Sequence, residues 1–100
     1  MILTTTNAID GYSITDYLGI VTGVAMHDEI MTMGFSISKY AKKIQDGVDT
    51  TKEEAFQRLR NNALKIKADA VVGIKVEIEL TTSNYAMVSV TGTAVKIATR

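Results

Sequence analysis

"ADAVVGIKVEIEL", Ala68 to Leu80, changes its hydrophobic period partway along, and that change decides the fold. It begins as a nearly continuous apolar run and then alternates, with Ile74, Val76, Ile78 and Leu80 pointing one way and Lys75, Glu77 and Glu79 the other. Successive side chains of a strand leave on opposite faces, so this alternation predicts a strand with one wet face. "TTSN", residues 81–84, supplies a hairpin connection, and "YAMVSVTGTAVKI", Tyr85 to Ile97, returns as a second strand. The return strand places Val88, Val90, Gly92 and Ala94 on one side and Met87, Ser89, Thr91, Thr93, Val95 and Ile97 on the other. Its second face is neither charged nor strongly apolar, which suits contact with another protein surface better than open water.

Upstream of the hairpin, Thr51-Lys52-Glu53-Glu54 matches a capping box, in which hydroxyl and carboxylate satisfy free N–H groups at a helix start. Phe56, Leu59, Ala63 and Ile66 then line one face, and Arg58, Arg60, Lys65 and Lys67 late in the segment complement the helix dipole. A separate amphipathic helix is expected over residues 30–44, where Ile30, Met33, Ile37, Tyr40, Ala41 and Ile44 recur at steps of three and four, with Gly34 weakening it. "QDGVDTT", residues 45–51, is expected to break the two apart. At the amino end, "ILTTT" is a short β-prone piece and "NAIDGYS" carries turn residues. "YLGIVTGVAM", Tyr17 to Met26, reads as a strand whose Gly19 and Gly23 predict a bulge or a close backbone approach. The expected class is α+β: a small antiparallel sheet with a helix packed on it, an N-terminal strand pair and an extra helix, in one domain over residues 1–100.

One hundred residues with 46% hydrophobic content suffice for a core and exclude a disordered chain. Eleven basic and eleven acidic residues leave no net charge, so no global field draws the protein to nucleic acid or an anionic membrane. Without cysteine there can be no disulfide, thiolate zinc site or cysteine nucleophile. Met1 to Thr4 lack the positive region of a secretory signal, and no apolar run approaches the roughly 18 residues of a membrane span. The expected location is the cytoplasm.

Four blocks in order resemble a family of small bacterial proteins, the YbjQ-like proteins, which carry a heavy-metal-binding label without an established activity. They are "ILTTTN" at the start, "YLGIVTG" from Tyr17 to Gly23, "ADAVVGIKVE" from Ala68 to Glu77 and "VSVTGTAV" from Val88 to Val95. The resemblance implies a dodecin-like two-layer α/β subunit with short extra strands that join neighbours into a ring, a homopentamer. Where the family pattern has Gly-Glu after the second strand, this chain has Gly23-Val24, and in the usual "LGANAVVG" block it carries Lys67, Ala68 and Asp69.

"MHDEIMTM", Met26 to Met33, holds the only histidine and three of the five methionines. His27, Asp28, Glu29 and Met31 are the candidate metal ligands. Imidazole and thioether suit soft or borderline ions such as Cu(I), whereas the carboxylates suit Mg or Mn. One His and no Cys argue against a closed zinc site within one chain, but a symmetric ring would repeat His27 around an axis. The ordinary reading is that Met33 fills the core, a carboxylate caps a helix and His27 is solvated. Only His27 could serve as base for a Ser or Thr nucleophile, and nothing in the sequence orients it, so no catalytic residue is assigned. The expected function is a homo-oligomeric binding or scaffold protein taking a small ligand or metal ion between subunits. The alternative is an enzyme whose carboxylate site, Asp28 and Glu29 among it, is assembled across subunits.

Overall fold

The computed structural model describes residues 1–27, 37–80 and 85–100, with residues 37–44 described by their backbone alone. In chain order the elements are β1 (Ile2–Leu3), β2 (Tyr12–His27), α1 (Ile37–Lys65), β3 (Ala70–Leu80) and β4 (Ala86–Thr99). The sheet order is β1-β3-β4-β2. The long hairpin predicted from the period change is β3 and β4, paired antiparallel from Ala70↔Val95 to Leu80↔Ala86. β2 lies antiparallel on the other side of β4.

The sheet is mixed rather than purely antiparallel, and β1 and β2 do not pair with each other. β1 runs parallel to β3 through Ile2↔Ala70 and Leu3↔Val71, so the expected N-terminal strand pair is split between the two edges of the sheet. After β1 the chain stays hydrogen-bonded to β3: Thr4 N donates to Val71 O (3.0 Å), Gly73 N to Thr6 O (2.8 Å) and Ile74 N to Thr4 O (3.1 Å). This tether carries residues 4–11 across one face of the sheet, where Ile9 packs on Ala70, Val72 and Val95 together with Ile14 and Ile97.

The opposite face carries the main core. Val21 and Ala25 of β2, Val88, Val90 and Ala94 of β4, and Val71 and Ile74 of β3 meet Ala55, Leu59 and Ala63 of the helix. The return strand thus partitions as its alternation predicts, with Val88, Val90 and Ala94 fully buried and Val95 under the N-terminal loop on the other side. Gly19 sits at a register shift between Tyr17 and Gly19 with φ 123°, and at Gly23 the helix backbone of Ala55 and Leu59 comes so close that a Cβ would overlap it. Both glycine expectations are met, each in a different way.

Among the described residues, one helix stands where two were expected. α1 runs unbroken through "QDGVDTT", and Thr51 is not its cap but a fully buried residue in its interior. The Thr51 hydroxyl donates to Gly47 O (2.7 Å) and the Thr50 hydroxyl to Asp46 O (3.0 Å), which satisfies them against the preceding turn. A mid-helix glycine costs about 1 kcal/mol against alanine, less than a stripe of buried residues at 51, 55, 59 and 63 returns through packing. The residues expected to start the first helix, 30–36, and the turn at 81–84 lie outside the described residues.

α1 ends in a Schellman motif. Ala68 N donates to Ala63 O (3.0 Å), Lys67 N donates to Leu64 O (3.0 Å), and Lys67 takes φ 62°. Ala68 also reaches the core beside Ala63. Asp69 then starts the hairpin: its N–H donates to Val95 O (2.9 Å), its carboxylate accepts from Ile97 N (3.1 Å), and Lys96 lies 3.6 Å away.

Candidate functional site

Strand order decides what the helix can cover. α1 packs on β2 and β4, and the outer half of β3 extends past it. Val76, Ile78 and Leu80 stand opposite Val90, Val88 and Ala86, so they share the helix-side face, yet they are 38%, 46% and 58% exposed. The sequence expectation of one wet face is corrected here: both faces of this half-strand meet solvent in the single chain, because the helix lies too far toward β2.

A second apolar row lies on the opposite face. Ile20, Val24 and Met26 of β2 stand opposite Thr93, Ser89 and Met87 of β4 and are 78%, 40% and 56% exposed. Thr22, between them, brings its hydroxyl within 3.4 Å of that of Thr91. β2 is an edge strand, and the helix takes two of its outward carbonyls: Asn62 Nδ2 donates to Thr22 O (2.8 Å) and Arg58 Nη1 to Val24 O (2.5 Å). Those peptide groups therefore turn away from β4. Thr22, Val24 and, two residues on, Met26 face β4 as the closer, non-hydrogen-bonded kind of pair.

Of the sequence-derived metal candidates, His27 ends β2 opposite Ala86 and is half-buried on the helix-side face. Asp28, Glu29 and Met31 lie outside the described residues. Among the described residues no group of three or more His, Asp or Glu side chains could hold a metal ion. What the fold does bring together is a different donor set. Met26, Met87 and Glu79 are register partners across three strands on one face, Met26↔Met87 and Met87↔Glu79. The sequence shows Met87 on the second face of its strand, but only the β2–β4 register reveals that Met26 is its partner.

An open depression of about 240 Å³ near the amino end is lined by Ile2, Thr4, Thr6, Ala8, Ile9 and Asp10. Its hydroxyls are already engaged, Thr4 with Thr6 (2.8 Å) and Thr6 with Ala8 O (2.6 Å). That is the bonding of a turn, with no free hydroxyl proton aimed at a ligand.

Residues 1–98 match the model of the YbjQ_1 family, described as "Putative heavy-metal-binding". A UPF0145 protein of Halalkalibacterium halodurans is 33% identical, with 100% of this chain and 99% of that protein covered. A UPF0145 protein of Clostridium kluyveri is also 33% identical, covering 97% of this chain and 99% of its own length. Among solved structures, a protein of unknown function in the DUF74 family from Pediococcus pentosaceus superposes with a TM-score of 0.71 at 25% identity, covering 98% of each chain. The chain therefore belongs to the YbjQ_1 family.

Proposed function

We propose that this member of the YbjQ_1 family is a ring-forming binding protein of the cytoplasm, which assembles from copies of itself and takes a small ligand or heavy-metal ion. The observation that carries the reading is the pair of exposed apolar patches, Val76-Ile78-Leu80 on the helix side and Ile20 with Val24 on the other. Patches of this kind commonly mark contact surfaces. A twofold dimer needs one self-complementary patch, whereas two different patches on opposite faces suit a head-to-tail contact that closes into a ring. Five copies is the number the family resemblance implies. No helix among the described residues is long and apolar enough to cross a membrane.

Native mass spectrometry tests the assembly. The wild-type chain is expected as a closed oligomer, and Ile20→Glu and Ile78→Glu each as monomers. Mixed together, the two variants should recover a heterodimer, since each retains the patch the other has lost. A twofold dimer, or variants that keep the wild-type mass, would overturn the reading. The enzyme alternative named Asp28 and Glu29, which lie outside the described residues, so no second reading is advanced.

A further inference from the structure

We infer that Met26 and Met87 form a binding site for a soft monovalent metal ion, of the Cu(I) or Ag(I) class, with Glu79 as its counter-charge. The inference rests on the metal half of the proposed function and names its ligands; it does not depend on the ring. Three observations carry it, beginning with register. Met26 and Met87 are direct partners on the open face of the sheet. The outward carbonyls of Thr22 and Val24 make this row of pairs the non-hydrogen-bonded kind, whose Cα atoms stand about 4.5 Å apart with side chains drawn together. Two unbranched side chains starting that close, each with three rotatable bonds, can turn both sulfurs onto one ion.

Exposure is the second observation. Methionine ordinarily earns its place as adaptable core filler, but Met26 is 56% exposed and belongs to neither buried cluster. Its sulfur is accessible to an ion from solvent.

Donor chemistry is the third. Thioethers are neutral, soft ligands that select Cu(I)-like ions over Zn, Mg or Ca. A pair of them supplies no charge to balance a cation. Glu79 stands beside Met87 in the same row, and Glu77 lies two residues earlier on the same face of β3. Arginine and lysine are absent from the row itself, Lys75 being four residues back from Glu79 along that strand. His27 leaves on the opposite face, so within one chain the site is built from sulfur, not imidazole.

The test is a methyl spectrum of the full chain labelled at its five methionine methyl groups, titrated with silver(I) as the probe. Met26→Leu and Met87→Leu, swaps that nearly conserve volume, assign the two signals. The expected result is that these two methyls move together and saturate at one silver ion per chain, while the other three stay in place. Either leucine variant should abolish the response of the partner methyl, and zinc(II) should move neither. A silver response confined to the other methionines, no response, a partner methyl that still responds alone, or a zinc response at these two would overturn the site. The unligated spectrum of each variant reports whether it folds. Oligomer mass is read separately, so loss of the ring and loss of the ion site cannot be mistaken for each other.

Discussion

Gly23 lies directly beneath the backbone of Ala55: a Cβ built on Gly23 would overlap the Ala55 carbonyl oxygen and sit 2.5 Å from Leu59 N. The obstacle is backbone, which cannot rotate away as a side chain can. Ala55 and Leu59 are both fully buried, so relieving the overlap means lifting the helix from the sheet. Gly23→Ala is expected to destabilise the protein by about 1–3 kcal/mol, the usual range for overpacking a tight core. At a fixed protein concentration, thermal unfolding should show a fall in Tm of several degrees; an unchanged Tm would mean that the helix does not approach this closely.

Lys67 holds the left-handed position of the Schellman motif at φ 62°, where a side chain is strained and glycine is not. The family pattern places glycine at this point of its "LGANAVVG" block, so the departure seen in the sequence has a structural cost. Lys67→Gly should stabilise the protein by about 1 kcal/mol, seen as a higher urea midpoint with unchanged slope.

How much of this was readable beforehand depended on whether a residue's neighbour was near or far in sequence. The β3–β4 hairpin and the faces of β4 were readable because period-two alternation is a local pattern. The family match and the α+β class were readable from four short blocks. The continuity of α1 was not, since Thr51-Lys52-Glu53-Glu54 satisfies the local rule for a cap, and only packing of Thr51, Ala55, Leu59 and Ala63 against the sheet overrides it. Parallel pairing of β1 with β3 joins residues nearly seventy positions apart, Ile2 with Ala70, and no local pattern encodes it. The candidate site was half readable: Met26 drew notice beside His27, but its partner Met87 comes from the long-range β2–β4 register.

Thr51 separates the cap from the interior position experimentally. At an N-cap, aspartate is as good as or better than threonine and valine costs about 1 kcal/mol. Inside a helix and fully buried, the order reverses. Thr51→Val should stay within about 1 kcal/mol of wild type, because the hydroxyl only supplements a carbonyl of the preceding turn. Thr51→Asp should unfold the protein or lower its stability by more than about 3 kcal/mol, because it buries an unpaired charge. Equilibrium urea unfolding of both variants, giving aspartate above valine, would restore the cap.

Arg58 and Asn62 occupy the outward carbonyls of Val24 and Thr22 on the β2 edge. An open edge strand with exposed apolar side chains, here Ile20 and Val24, is a template for unwanted strand pairing. Removing both donors, Arg58→Met with Asn62→Leu, leaves those acceptors to water or to another chain. The Arg58 side chain is exposed, so its direct loss in stability should be small, about 1 kcal/mol or less, with a similar amount for Asn62. The larger effect is expected on association. In a heating ramp followed by light scattering, the double variant should aggregate at a lower temperature than a Leu59→Val variant of matched Tm, whose edge is intact. Equal scattering onsets for the two would show that the helix side chains stabilise β2 without guarding its edge.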